Sequence, residues 1–269
     1  MGTICYYTLR EVLYRRMGVV FMVISVLLPS IFIYFFIVNF ERLPNGQMVI
    51  HGSPMDIPVA TFVQGSLSGM LEFSNVFWIF IAIFAAAPLM TSFLEKGWVD
   101  LLLSKGMSRW QILLGRYLSG LAMFMLAMLL MNGSVALYAW ARTGITPWRF
   151  FAALGITSFS FAVVLALMTL VGVSQPNAAL LVMAGFVEVM FSRFLATREM
   201  LYPLITRQWI RDSLEWSYRI MPKHSGLQRM AVDYFMKGTM ESWYAAWTSG
   251  LFLVVVLVLA CWLLHRKSF

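Results

Sequence analysis

Long stretches without charged residues constrain the fold of this 269-residue chain more than any other feature. A helix needs about 20 predominantly apolar residues to cross a bilayer, and runs close to that length recur along the chain. Six of them are predicted to span a membrane, at about residues 17–38, 76–94, 112–140, 150–173, 178–194 and 246–264. Because 61% of the residues are hydrophobic and 12% are charged, a water-soluble core cannot bury this much apolar surface. The sequence therefore predicts an all-α membrane protein with six transmembrane helices in a single domain, residues 1–269.

The distribution of basic residues predicts the orientation of these helices. Clusters of Lys and Arg hold chain segments on the cytoplasmic side, and such clusters lie before the first span, between the second and third spans, and after the sixth. The first connection, residues 39–72, has one basic residue, Arg42, against the three acidic residues Glu41, Asp56 and Glu72. This connection is predicted to be external, so both termini are expected in the cytoplasm and the protein in the inner, cytoplasmic membrane.

The long segment 195–245 is an exception to this charge rule. Its seven Lys and Arg residues favour the cytoplasm by counting alone, whereas six spans place the segment outside. Segments approaching about 60 residues escape the rule, and acidic residues are interspersed among the basic ones. Aromatic and apolar residues recur at helical spacing along the segment, with breaks at Pro203 and Pro222. We therefore predict an external subdomain of short amphipathic helices that lie on the outer surface.

Sequence motifs of enzymes and metal sites are missing from the chain. No nucleotide-binding Gly-x-x-x-x-Gly-Lys-Ser/Thr sequence occurs. The histidines His51, His224 and His265 stand far apart, and no Ser/His/Asp set is found within the predicted spans. Cys5 and Cys261 lie near opposite ends of the chain without metal-ligand spacing. The chain is therefore predicted not to be an enzyme and to hold no metal or cofactor. The net charge of +8 is attributed to membrane orientation and not to nucleic-acid binding.

The most informative segment is residues 95–111, between the second and third spans, which we call the elbow. Trp98, Leu101, Leu102 and Lys105 fall three or four residues apart, so one face of a short helix is mostly apolar. Gly106 is predicted to end that helix. Ser108 followed by Gln111 has the form of a capping box, which predicts that the third span begins at Ser108. Spacing alone leaves two interpretations open, a surface connection or a docking helix for a partner.

The elbow and the beginning of the third span together resemble the signature of ABC-2 type ABC transporter permeases. The resemblance covers residues 95–118 and includes an acidic start, a Leu-Leu-Ser-Lys run, Ser108-Arg109, and a Leu-Gly-Arg-Tyr opening of the span. Gly106-Met107 stands where the family usually has a Pro step, and Arg116 where it has Lys. Within the family, the chain is similar to the short six-helix permeases whose best-known member serves nitrous-oxide reductase maturation. The transported substrate stays open.

The resemblance implies a transmembrane permease subunit of an exporter driven by a separate ATPase. Such a complex has two ATPase copies, which hold ATP and Mg, and two permease copies, expected here as a homodimer. The short cytoplasmic helix of the elbow is the coupling helix of that family. The implied ATPase-coupling residues are Glu95, Lys96, Gly97, Trp98, Leu101, Leu102, Ser104, Lys105, Ser108 and Arg109.

Two features outside the elbow leave alternatives open. Residues 3–16 have one apolar helical face, which favours either an amphipathic cytoplasmic helix beside the ATPase or a polar lead-in to the first span. The segment 195–245 provides the rival function, in which the chain is a membrane scaffold or assembly factor. In that case the segment docks an extracytoplasmic protein, and no transport takes place.

Polar residues inside predicted spans are candidates for a transport pathway. Glu188 lies about ten residues into the fifth span, where an ionisable group is costly. It is predicted either to serve the pathway or to be neutralised, for example by pairing with Arg193 or a neighbouring helix. For Asn132, the sequence favours an interhelical hydrogen-bonding role over a contact with the substrate. The remaining pathway candidates are Met183, Phe186 and Met190, which in the simpler interpretation are lipid-facing or packing residues.

Overall fold

Long apolar helices joined by short turns dominate the computed structural model of the protein. The structure describes residues 16–42, 48–50, 53–55, 58–92, 104, 106–240 and 242–266. Five helices in these ranges are long and apolar enough to cross a membrane. The predicted helical architecture is therefore confirmed, and its apolar helices are compatible with a multi-pass membrane protein. A sixth spanning helix stays a prediction, although a helix does occupy the position of the first predicted span.

The first helix, α1, covers Arg16–Asn39, and α2 runs from Val59–Phe73 through a π-helical turn, Ser74–Trp78, into Ile79–Ser92. Helix α3 likewise joins Arg109–Met128, the π-helical turn Leu129–Gly133 and Ser134–Thr143. The remaining helices are α4 (Trp148–Ser174), α5 (Ala178–Ala196), α6 (Arg198–Leu201, followed by the 3-10 turn Tyr202–Leu204), α7 (Gln208–Ile220), α8 (His224–Lys237) and α9 (Tyr244–Arg266).

Between α1 and α2, three short strands form a small antiparallel sheet, which the sequence analysis did not anticipate. The strands are β1 (Phe40–Arg42), β2 (Met48–Ile50) and β3 (Ser53–Met55), paired in sequence order. Phe40 pairs with Ile50, and Ile50 with Ser53. The first connection is thus a compact meander at one end of the helices.

Helix α2 begins well before the predicted second span. Residues 59–72 were expected in a polar connection, but they form the first turns of α2. Val63, Leu67, Met70 and Leu71 of this stretch are all buried. Their spacing of three and four residues places them on one helical face, which packs into the bundle although the opposite face is polar.

The core of the bundle is built around α4. This helix packs against α2, α3, α5, α8 and α9, and residues 160–166 are all buried. Phe161 stacks on Phe124 of α3 with ring centroids 4.0 Å apart. A helix that is apolar on every side and surrounded in this way serves as the internal support for the other spans.

Short turns set the alternating direction of the helices. Gly144 closes α3 in the left-handed conformation with φ of 74°, and α4 starts a few residues later. The Asn177 side chain caps α5 by accepting a hydrogen bond from the amide of Ala179 at 3.0 Å. We call the end of the bundle that carries Ser92, Arg109 and Ala178 the elbow end, and the opposite one, with Gly144, the far end.

The short helices predicted between the fifth and sixth spans are present, but they do not share one environment. Helix α7 lies on the surface, and no residue of it is buried. Helix α8 instead packs into the bundle against α2, α4, α5 and α9, burying Leu227 and Phe235. The expectation of helices lying only on the outer surface is wrong for α8. The reason is an apolar face that fills the space beside the first half of α4, where Phe235 meets Phe150 edge to face at 5.5 Å.

Candidate functional site

The described part of the elbow matches the predicted helix start. Gly106 has φ of 76°, a left-handed conformation that favours glycine. Ser108 is the extended N-cap of α3, and its amide donates to the Gln111 side-chain oxygen at 3.1 Å. Ser108 and Gln111 occupy the N-cap and third helical positions of the predicted capping box. Ser104 is exposed, and Glu95, Lys96, Gly97, Trp98, Leu101, Leu102 and Lys105 lie outside the described residues.

Two arginines at the beginning of α3 bind the ends of neighbouring helices. Arg109 donates from Nη1 to the carbonyls of Leu264 and His265 in the last turn of α9, at 3.1 and 3.0 Å. Arg116 is 2% exposed and donates to the Leu89 carbonyl and the Ser92 hydroxyl at the end of α2. A positive charge at a helix C-terminus also interacts favourably with the helix dipole. The beginning of α3 is therefore fixed to the ends of both α2 and α9.

A chain of three buried polar side chains crosses the middle of the bundle. The Glu188 carboxylate on α5 lies 2.7 Å from His224 Nε2, and His224 Nδ1 lies 2.7 Å from the Ser160 hydroxyl on α4. All three residues are at most 1% exposed. We call this set the buried relay. The sequence analysis looked for a Ser/His/Asp set within the predicted spans, whereas this set takes its histidine from α8, outside them, and has Glu in place of Asp.

A second group of hydrogen bonds holds His224 in that position. The Ser192 hydroxyl, one turn after Glu188, donates to the Pro222 carbonyl at 2.6 Å and accepts from the His224 amide at 3.3 Å. The Lys223 amide donates to the Ser249 hydroxyl on α9 at 3.0 Å. Helices α5 and α9 thus satisfy the backbone where α8 enters the bundle, where an unpaired amide or carbonyl is costly.

The buried relay has three self-consistent proton arrangements. With one proton on the imidazole and none on Glu188, Nε2–H donates to the Glu188 carboxylate and Nδ1 accepts from the Ser160 hydroxyl. With one more proton, either the Glu188 O–H donates to Nε2 or a charged imidazolium donates from Nε2 to the carboxylate, and in both cases Nδ1–H donates to Ser160. The second Glu188 oxygen has no partner among the described residues, so the carboxylate is only half satisfied by hydrogen bonds. Such a chain can hold or move one proton across three helices.

Serine, histidine and a carboxylate also form the active sites of hydrolases, but the buried relay differs from them. Ser160 is 0% exposed in the middle of α4, where the helix itself uses the backbone amides that would have to stabilise an oxyanion. A substrate therefore has no approach to the hydroxyl in this conformation. The geometry suits a packing and proton-holding role better than acyl transfer.

The other predicted pathway residues do not gather around Glu188. Its expected partner Arg193 instead donates to the Gln228 side chain at 3.3 Å. Met183 and Met190 are 66% and 48% exposed on the outside of α5. Phe186 stacks on Phe80 of α2 at 4.6 Å. Buried Asn132 lies in the π-helical turn of α3, where its amide donates to the Met128 carbonyl at 3.3 Å.

The sequence analysis missed His224, Ser160, Ser192 and the internal role of Arg116. One signal was available, since an acid near the middle of a span requires a partner, and His224 follows Pro222 in a segment that returns toward the spans.

Comparison with known proteins gave no matching family model and no curated protein of significant similarity. What can be said of function therefore rests on the elbow, the arginines of α3 and the buried relay.

Proposed function

We propose that the chain is the permease subunit of an ABC-2 type exporter and moves its substrate with ATP hydrolysed by a separate subunit. The observation that carries the proposal is the elbow signature, residues 95–118, leading into a helix with N-cap Ser108. The bonds of Arg109 and Arg116 support it, because a displacement of the elbow would act on α2, α3 and α9 together. The chain contributes motion, and the chemistry belongs to the ATPase.

In this proposal the elbow end faces the cytoplasm of the inner membrane, and two copies of the chain form the translocation unit. Apolar anchors in a desolvated groove contribute a few kcal/mol each, whereas an exposed ion pair contributes about 0–1 kcal/mol. Trp98, Leu101 and Leu102 would therefore provide most of the affinity for the ATPase. Gly106 and the cap at Ser108 would determine how rigidly motion passes into α3.

Changes in the elbow should separate binding from coupling. We expect Trp98→Ala to lose the ATPase on co-purification and Lys96→Ala to retain it, because the anchor is apolar. Ser108→Pro should retain the ATPase but transport poorly, because the N-cap amide that donates to Gln111 is removed and the helix start is loosened. Ser108→Ala is the matched control, since it keeps the backbone amide that donates to Gln111.

The measurements are recovery of the complex, ATP hydrolysis and transport after reconstitution with an ATPase encoded beside the permease. Normal binding and transport by both Trp98→Ala and Ser108→Pro would remove the elbow from the mechanism. Failure of the unaltered chain to bind any such ATPase would contradict the permease proposal itself.

Orientation is tested by single cysteines in a chain without Cys5 and Cys261. We expect an impermeant thiol reagent to reach Gly46→Cys, Thr146→Cys and Ser225→Cys from outside the cell. Thr146 is exposed and is preferable to Gly144, whose φ of 74° strains any substitution. Labelling of Ser225→Cys only from the cytoplasm would overturn the six-span arrangement.

One observation favours the scaffold as a second candidate. Trp209, Trp216 and Ile220 of α7 are each more than 60% exposed and fall on one helical face. An exposed aromatic face of this kind suits the membrane interface or an extracytoplasmic protein. Recovery of such a protein through α7, with no ATPase and no transport, would favour the scaffold over the permease.

A further inference from the structure

A cleft of about 310 Å³ lies where the end of α5 meets the beginning of α8. Its walls come from the last turn of α5, from α6, from Tyr218 of α7 and from the first two turns of α8. Ser192, which supports His224, reaches its floor, but Glu188, His224 and Ser160 are not among the lining residues. The cleft is therefore adjacent to the buried relay and separate from it.

Positive charge predominates in the lining of the cleft. Arg198, Lys223 and Arg229 line it together with one acid, Glu199. Arg198 is already paired with Glu215 at 2.9 Å and with Glu199 at 3.5 Å. No carboxylate lies within ion-pair distance of Lys223 or Arg229 in the part of the chain that the structure describes. Lys223 and Arg229 thus line the cleft without a carboxylate partner among the described residues.

Lys223 is the unusual member of this set. The residue is 3% exposed, and its Nζ has no hydrogen-bond acceptor among the described residues. The ammonium lies 4.8 Å from the ring centroids of both Tyr218 and Tyr244. Burial lowers the pKa of Lys223 to about 8, with a further lowering from Arg198 and an opposing effect of Glu215. A buried ammonium that lacks an acceptor is costly, and an anion in the cleft would relieve that cost.

The beginning of α8 adds backbone donors to the same cleft. Ser225 and Gly226, in the first turn of this 14-residue helix, line it. Within the described ranges the amides of His224 and Leu227 have acceptors, and those of Ser225 and Gly226 have none. Free amides at a helix N-terminus, with the positive end of the helix dipole, favour phosphate and other anions.

We propose that this cleft binds a phosphate group, held by Lys223, Arg229 and the first-turn amides of α8. Arginine and lysine with helix N-terminal amides are a recurrent combination for phosphate. The cleft lies beside the last turn of α5, a helix long enough to cross a membrane, and the ends of such helices reach the headgroup region. The group can come from an anionic lipid headgroup or from a soluble phosphate, and the site does not depend on the exporter proposal.

Two arms of one experiment distinguish these sources. The full chain is placed in nanodiscs of phosphatidylcholine, and the thermal unfolding midpoint is followed as inorganic phosphate is added at constant ionic strength. In the second arm, phosphatidylglycerol replaces part of the lipid in phosphate-free buffer. We expect a saturable rise of the midpoint in at least one arm, and that arm identifies the source. No rise in either arm would overturn the proposal.

Variants localise the effect to the cleft. Lys223→Met and Arg229→Gln should each weaken the apparent affinity about tenfold or more, the scale of one charged hydrogen bond. Arg207→Gln removes a charge of the segment 195–245 that lies outside the cleft. This change should alter the apparent affinity little. If Arg207→Gln weakened the apparent affinity equally, the phosphate group would be attracted to the basic surface in general and not bound in the cleft. Arg229 is exposed, so its variant remains informative if Lys223→Met does not fold.

The pH dependence gives an independent check on Lys223. Its charged and titratable surroundings are Arg198 and Glu199 of α6, Glu215 and Tyr218 of α7, His224 and Arg229 of α8, Tyr244 of α9, and Glu188 and Arg193 of α5. With phosphatidylglycerol, whose phosphodiester charge is constant, affinity should fall between pH 7 and 9 as the ammonium loses its proton near its pKa of about 8. Lys223→Met should abolish that fall, and a flat profile for the unaltered chain would contradict the role of Lys223.

Discussion

Replacing His224 by alanine is expected to lower the free energy of unfolding by about 3–5 kcal/mol, the usual cost of leaving a buried charge without its partner. The change leaves the Glu188 carboxylate without its 2.7 Å partner and frees the Ser160 hydroxyl. It also opens a cavity where α8 enters the bundle. The measurement is unfolding of the purified chain in detergent, followed by circular dichroism against temperature or denaturant.

Matched variants separate the buried relay from histidine loss in general. His265→Ala removes an exposed histidine at the end of α9 and should change stability little. Ser160→Ala removes one neutral hydrogen bond and should cost about 1 kcal/mol. Glu188→Gln keeps an acceptor for Nε2–H and should fold, so altered transport in that variant would assign a role to the carboxylate. Equal stability of His224→Ala and His265→Ala would mean that the buried relay does not hold α8.

Replacing Arg116 by methionine is expected to lower the free energy of unfolding by about 2–3 kcal/mol, the scale of hydrogen bonds to a charged group. Methionine fills much of the same volume but cannot donate to the Leu89 carbonyl or the Ser92 hydroxyl. The last turn of α2 then loses its cap beside the elbow. Hydrogen exchange of the amides at the end of α2 should accelerate, and thermal unfolding should shift downward.

The control for this variant is Arg142→Met, which removes an exposed arginine near the far end of the same helix. Among the described residues its guanidinium contacts Tyr138, at 3.2 Å from Nε to the hydroxyl, so its loss should be nearly neutral. If both variants unfold alike, or if exchange at the end of α2 is unchanged in Arg116→Met, the arginine does not fix α3 to α2.

Apolar run length was enough to predict the helical spans, because each span carries its own signal. The ends of α4 and α5 lie within two residues of their predicted positions. Helix α2 was predicted too short because its first turns contain Gly65, Ser66 and Gly69, which lower the hydropathy of any window across them. The buried face of Val63 and Leu67 was visible only as helical spacing, a signal that a search for uniformly apolar runs ignores.

The buried relay could not be predicted in the same way, because its members come from different helices. Ser160 and His224 are 64 residues apart, and His224 and Glu188 are 36 apart. No local spacing indicates which polar residues meet when three helices pack. The amphipathic pattern of α8 was recognised, but spacing does not distinguish a helix on a lipid surface from one that fills a gap between spans.

The half-buried position of α8 has a consequence for the order in which the chain assembles during synthesis. With 14 residues and polar ends, α8 is too short to enter a bilayer alone as a spanning segment. Its burial surface is made by α2, α4, α5 and also α9, which is synthesised after it. Insertion of the spans must therefore precede the docking of α8, which is completed only after the last helix has left the ribosome. A nascent chain truncated before Tyr244 would leave the side of α8 that faces α9 uncovered.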